Sequence, residues 1–247
     1  MKGFELERAI AQNELVLHFQ PIVDVPHRQL RGVEALVRWK HPARGLVSPM
    51  EFISEAETSG LIRKLTLWVL REALLHSNVW RRDGVPTAVS VNLSPVDIHD
   101  AGFRRFLTNT LKAAGGSEHL VAEVPARGLA VDPPIAMLEL MRSMGVRVAI
   151  DDAGESDAHV LENAPADIVK VGRGVISRLT KDHRMVTFVR AFVSAARERG
   201  LRATAVGVED EATWEIVADV GFDTAQGFLI AAPMPAQQLS EWRAARV

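Results

Sequence analysis

The chain has 247 residues, 47% of them hydrophobic and 24% charged, which supplies core for one large α/β domain or two small ones. Its 29 basic and 31 acidic residues give a net charge of -2, so bulk electrostatics favour neither a nucleic-acid polymer nor an anionic membrane surface. Cys is absent, which excludes disulfides and thiolate metal sites, and no apolar run is long enough for direct membrane insertion, so a cytoplasmic soluble domain is expected.

Residues 1–14 carry an amphipathic helix pattern without a signal peptide's apolar stretch. Residues 15–25 and 29–40 read as two strands joined by a short turn around Pro26. A loop rich in Pro and Gly follows, then helical patterns over 49–58 and 61–82. In the second, Leu61, Leu65, Trp68, Val69 and Ala73 form an apolar stripe. Strands are predicted over 87–94, 119–124, 146–152, 167–171, 201–208 and 224–230. Helices alternate with them over 102–114, 134–143, 157–163, 184–199, 211–220 and 236–245. Such alternation predicts a parallel sheet with helices outside, and about eight strands in a chain of this length match a (β/α)₈ barrel. The hairpin-like start implies that one of the first two strands is antiparallel to the rest. A doubly wound open sheet is the alternative. No Gly-rich dinucleotide fingerprint, phosphate-binding Gly-Lys-Ser/Thr loop, internal repeat or linker is present, so residues 1–247 are expected to form one domain.

The segment Glu34-Ala35-Leu36-Val37-Arg38-Trp39 is the first candidate site. Its two-residue period puts a carboxylate, a leucine and a guanidinium on one strand face. A carboxylate and an arginine on a buried strand are costly unless a metal, a ligand or each other satisfies them. In a barrel the C-terminal strand ends carry the active site. Those ends read Gln20, Glu34 with Arg38, Asn92, Glu123, Asp151 with Asp152, Lys170, Glu209 and Gln226. Glu34, Asn92, Glu123 and Asp151 are oxygen donors from different strands, a set suited to Mg²⁺, Mn²⁺ or Ca²⁺. Lys170 and Arg38 supply charge of the kind that holds phosphate oxygens. The combination suits metal-assisted phosphodiester chemistry, with Asp151-Asp152 able to extend toward a second ion. Any one of these acids alone reads better as a helix cap or ion-pair partner. Independent caps, however, need not fall at successive strand ends. His18, His41 and most of the Trp residues read as structural.

The chain resembles the EAL domain family of bacterial cyclic-di-GMP phosphodiesterases. The matching pieces are FQPI (19–22), EALVRW (34–39), FISEAE (52–57), VNLS (91–94), Glu123, IDD (150–152), DIVK (167–170), GVE (207–209) and QGFLIAAPMP (226–235). The resemblance implies a modified (β/α)₈ barrel with one antiparallel strand, and opening of cyclic-di-GMP to linear pGpG with Mg²⁺ or Mn²⁺. It further implies metal ligation by Glu34, Asn92, Glu123 and Asp151, a second metal at Asp152, and Lys170 at the attacked phosphate or its water. Gln20, Leu36, Arg38, Glu209 and Gln226 would line the nucleotide site. Homodimerisation or a protein partner is the expected mode of assembly.

The departures from the family pattern fall together. Val206 stands where the family's Ala-Glu-Gly-Val-Glu stretch has its first Glu, the second-metal ligand and proposed general base. Valine neither binds a cation nor takes a proton, and loss of a positioned base costs roughly 10²–10⁴ in rate. Ala126 replaces the second Glu of Glu-x-x-Glu, Gly172 replaces the Asp of Lys-Ile-Asp, and the loop over 153–157 is altered. The expected function is therefore a cyclic-di-GMP receptor or interaction module with weak or no hydrolysis. An active divergent phosphodiesterase and a scaffold binding neither metal nor nucleotide are the alternatives.

Overall fold

The computed structural model describes residues 3–129 and 133–246; the first two residues of the predicted N-terminal helix lie outside them. After α1 (Gly3–Ala11) come β1 (Leu15–Asp24), β2 (Leu30–His41) and β3 (Gly45–Val47). Then follow α2 (Ile53–Thr58), α3 (Ile62–Arg82), β4 (Ala88–Asn92), α4 (Pro95–Ile98), α5 (Ala101–Ala114) and β5 (Leu120–Pro125). The middle of the chain gives α6 (Ile135–Ser143), β6 (Arg147–Ala153), α7 (Val160–Asn163), β7 (Ile168–Val171), α8 (Arg173–Ile176) and α9 (His183–Glu198). It closes with β8 (Arg202–Val206), α10 (Glu211–Val220), β9 (Thr224–Gln226) and α11 (Ala236–Ala244).

The sheet runs β1-β9-β8-β7-β6-β5-β4-β2-β3, and β1 also pairs with β2, so eight strands close into a barrel with β3 as an extra strand outside it. β1 is antiparallel to both its barrel neighbours, as the hairpin-like opening implied. The other barrel pairings, from β2–β4 round to β8–β9, are parallel. Parallel strands need their outer face covered, and the crossover helices cover it. On β2 the outward positions Val33, Ala35, Val37 and Trp39 are buried in that helix-facing layer. The stripe on α3 packs as expected: Leu65, Val69 and Ala73 are buried, with Trp68 partly so.

Differences from the sequence reading are local. The helix expected over 49–58 is split into a 3₁₀ turn at Pro49–Glu51 and α2. The strand expected over 224–230 stops at Gln226, after which the chain turns outward. The short elements β3, α4 and α8 give too few residues for a periodicity signal. His41 is structural, its Nδ1 accepting from the amides of Ala43 and Arg44. No helix among the described residues is long and apolar enough to cross a membrane.

Candidate active site

Strand register assembles the predicted residues at one end of the barrel. Gln20 pairs with Glu34 across β1 and β2, and Asn92 with Glu123 across β4 and β5. Lys170 pairs with Thr204, and Val206 with Gln226. The side-chain period of two then points Glu34, Asn92, Glu123, Asp151, Lys170 and Gln226 inward.

Lys170 is the hub. Its Nζ lies 3.1 Å from Glu34 Oε2, 2.7 Å from Glu123 Oε1 and 3.3 Å from Asp151 Oδ1. Asn92 Nδ2 donates to Glu34 Oε1 at 2.7 Å. Gln226 Nε2 donates to Glu34 Oε2 and to Gln20 Oε1, both at 2.9 Å, and Gln20 Nε2 donates to the Ala231 carbonyl at 3.0 Å. Glu34, Glu123, Lys170, Gln20 and Gln226 are all buried. Burial raises the Glu34 pKa, but the Lys170 charge and the bonds from Gln226 and Asn92 outweigh it, and the carboxyl ends below its ordinary value. Glu123 goes the other way. Burial and the charge of Glu34 push it well above the usual carboxylate range against the pull of Lys170. Lys170 is pushed up despite its burial by Glu123, Glu34 and Asp151, so it stays an ammonium.

These residues are suited to a hard divalent cation by chemistry, with one qualification of arrangement. Three carboxylates and an amide converge, and both Glu123 oxygens lack an aligned hydrogen-bond donor although Lys170 is near. Among the described residues, however, no three acidic or imidazole groups are spaced to hold a metal ion, and the Lys170 ammonium stands among the carboxylates. A cation at this centre would require Lys170 to withdraw and Asn92 to turn its carbonyl oxygen inward.

A cavity of about 420 Å³ opens above the hub, lined among others by Leu36, Asn92, Asp151, Asp152 and Val206. A smaller one of about 140 Å³ adjoins it, lined by Gln20, Glu209, Gln226 and Phe228. Val206 and Arg173 border both. Arg38 is half-buried, borders neither, and donates from Nη1 to the Val37 carbonyl at 2.9 Å. Glu209 is ion-paired to Arg173 Nη2 at 2.8 Å.

Asp152 sits in the left-handed region at φ 53°. Its Oδ1 lies 2.0 Å from where a Cβ on Gly172 would be, so its carboxylate fills the space of the side chain that Gly172 lacks. Burial, then the charge of Asp151, raise the Asp152 pKa, while Arg127 opposes them.

Sequence reading passed over Arg127, Arg173 and Phe228. Arg127 borders the larger cavity and makes no hydrogen bond or ion pair among the described residues. The stem of Arg173 crosses Gly207, whose φ is 85° and where a Cβ would fall 2.5 Å from Arg173 Cγ. The signal for Arg173 was present: Gly207 and Glu209 both act on it from the same three-residue motif. Phe228 is 62% exposed on a turn that strand patterning had assigned to β-structure.

The EAL domain model matches residues 5–233. The chain is 37% identical over 241 residues to a Pseudomonas aeruginosa protein named bifunctional diguanylate cyclase/cyclic di-GMP phosphodiesterase MucR, covering 95% of this chain and 35% of that protein. It is 32% identical over 243 residues to the P. aeruginosa cyclic di-GMP phosphodiesterase PA2567, covering 96% of this chain and 41% of that protein. The chain thus spans 35% and 41% of the length of these two curated relatives. A solved structure of the PaMucR phosphodiesterase in a c-di-GMP complex superposes with a TM-score of 0.90 at 37% identity, covering 96% of this chain and 98% of that one. An EAL domain protein from Listeria monocytogenes superposes with a TM-score of 0.85 at 26% identity, covering 99% and 98%. The barrel with its single reversed strand, the Lys170-centred carboxylates and these matches agree: the chain belongs to the EAL domain family.

Proposed function

We propose that this chain is a cyclic-di-GMP-binding module whose hydrolysis is weak or absent. The observation that carries the reading is Val206, an aliphatic side chain at the end of β8 bordering both cavities. Ala126 is buried on the turn after β5, and Gly172, after β7, carries no side chain, so three positions acidic in the family offer no oxygen here.

In this reading the cyclic dinucleotide lies across the two cavities. Leu36 packs against it, Gln20 and Gln226 face it, and the exposed Phe228 ring offers a base a stacking surface worth about 1–3 kcal/mol. Arg173, steadied by Glu209, and the unpaired Arg127 supply positive charge to its phosphates. Glu34, Asn92, Glu123 and Asp151 would hold Mg²⁺ or Mn²⁺, with Asp152 the remaining candidate for a second ion. A bound divalent cation would polarise a phosphate oxygen and acidify a water. Lys170 would then give its charge to the phosphate instead of the carboxylates. Val206, at the end of β8, cannot take up the proton of an attacking water.

Calorimetry with cyclic-di-GMP, with and without Mg²⁺, beside a chromatographic assay for pGpG tests the reading. Binding with little or no pGpG is the expected result; rapid turnover overturns it. The second reading, hydrolysis to pGpG, is favoured by the complete Glu34, Asn92, Glu123 and Asp151 set and by a relative at 37% identity named in part as a phosphodiesterase.

A further inference from the structure

The opposite mouth of the barrel carries a second concentration of charge. Arg147 opens β6 and Arg202 opens β8. Ile168 of β7 stands between them, paired with Ala149 on one side and Arg202 on the other. The two-residue period that sends Asp151 and Val206 toward the upper cavities sends Arg147 and Arg202 into the lower end of the same interior. A cavity of about 100 Å³ lies there, lined among others by these two side chains, Arg31, Ser90, Thr204 and Thr224, and toward the upper site by Glu123 and Lys170.

Of the carboxylates within reach, Glu123 is ion-paired to Lys170 at 2.7 Å, and Asp24 and Asp167 are engaged by arginines of their own. Asp24 accepts from Arg31 Nε at 3.0 Å and Nη2 at 2.5 Å, and from the amides of His27 and Gln29. Asp167 accepts from Arg142 Nε at 3.1 Å and Nη2 at 2.9 Å, and from the Val148 amide at 2.9 Å. The side chains of Arg147 and Arg202 make no hydrogen bond or ion pair among the described residues. Burial, then the charge of Arg202, lower the Arg147 pKa, with Asp167 opposing. Two guanidinium groups without an ion-pair partner, Arg147 half-buried and Arg202 exposed, repel one another across this mouth, and an anion between them relieves the repulsion. The Thr204 and Thr224 hydroxyls share one hydrogen bond at 2.7 Å, which leaves one hydroxyl hydrogen free to donate.

We propose that this lower mouth is a binding site for a small phosphate-type oxyanion, gripped by Arg147 and Arg202. Guanidinium forks match tetrahedral oxyanions, and a space of about 100 Å³ admits a free ion and not a nucleotide. A phosphate monoester shares the chemistry, but its substituent has to pass the same narrow mouth. The site shares Glu123 and Lys170 with the upper cluster, but it rests on Arg147 and Arg202, which the cyclic-dinucleotide reading does not use.

The test is titration of inorganic phosphate into the intact chain, followed by calorimetry and by thermal melting. Chloride at matched ionic strength and O-phosphoserine are the other arms. Phosphate is expected to raise Tm saturably while chloride does not, with O-phosphoserine weaker than phosphate. Arg202→Met, at an exposed position, is expected to weaken phosphate about tenfold, the worth of one lost charged hydrogen bond. Arg147→Met is expected to do the same and, without phosphate, to melt no lower than wild type, because it removes a repulsion. Equal responses to phosphate and chloride, or undiminished phosphate binding in Arg202→Met, would overturn the site. O-phosphoserine binding as tightly as phosphate would overturn its assignment to the free ion.

Discussion

The candidate active site has two halves built from the same strand ends, and they solve opposite electrostatic problems. Around Lys170 the half formed by β2, β4, β5 and β6 is crowded with carboxylate, and an internal ammonium with amide donors from Asn92 and Gln226 holds it together. Along β7 and β8 the acid is thinned. Val206 and Gly172 carry none, and Asp152 leans into the space at Gly172. Arg173 borders the cavity there, and the charge of Arg127, on the 3₁₀ turn after β5, reaches Asp152. The first half is a place where a cation is needed; the second is a place where an anion is welcome. A binding module needs only that pairing, whereas hydrolysis also needs a proton acceptor on the second half.

The largest effect should come from making the second half resemble the family pattern again. Val206→Glu alone is expected to change pGpG formation little, because Gly172 and Ala126 leave the new carboxylate unsupported. Val206→Glu with Gly172→Asp and Ala126→Glu is expected to raise turnover by roughly 10²–10⁴, the worth of a positioned base. Gly172→Asp forces Asp152 to turn away, since its Oδ1 lies 2.0 Å from the new Cβ position. A triple variant no faster than wild type would show that the missing acids do not limit the reaction.

The next effect probes the first half. Lys170→Met leaves Glu34, Glu123 and Asp151 converging without a cation. Removing one partner of a buried ion pair costs about 3–5 kcal/mol, and urea unfolding in EDTA should show a loss of that order. Mn²⁺ is expected to restore more stability to Lys170→Met than it adds to wild type. Equal unfolding of the two proteins in EDTA would mean that Lys170 is not what compensates these acids.

Much of the first half was legible in the sequence, and the reason is geometric. Glu34, Asn92, Glu123, Asp151 and Lys170 each end or interrupt an apolar strand, so strand patterning and barrel topology together bring them to one rim. The reversed β1 was legible from the hairpin-like opening. The role of Lys170 as occupant of the acid cluster was not, because spacing reports which residues meet and not which counter-ion stands at their centre. The second half was legible only as losses. That Asp152 would fill the void at Gly172 follows from a left-handed backbone at Asp152, which no side-chain pattern encodes. Arg127 and Phe228 lie on a 3₁₀ turn and a loop, where no periodicity marks which way a side chain faces.

A smaller effect sharpens the anion-welcoming character of the second half. Arg127→Ala removes an exposed guanidinium that has no ion-pair partner among the described residues, so folding stability should stay within about 0.5 kcal/mol. Cyclic-di-GMP affinity is expected to fall about three- to tenfold, with the deficit shrinking as salt screens the contact. Unchanged affinity at low salt would remove Arg127 from the phosphate contacts and leave Arg173 as the charge on that edge.

The smallest effect concerns Asp152 itself. Its raised pKa means that the folded state holds the proton more tightly than the unfolded state. The group therefore favours folding below the ordinary Asp pKa, and that contribution is lost as pH rises through the higher folded value. Asp152→Asn keeps the side-chain shape, tolerates the left-handed backbone and removes the ionisation. In EDTA it should melt above wild type at pH 7 to 8, by a small margin because the site is largely solvated, and the gap should close as pH falls toward 3.5. A gap that widens in acid would mean that Asp152 is stabilised as an anion by Arg127, and the second half would then hold a functioning ion pair in place of a displaced carboxylate.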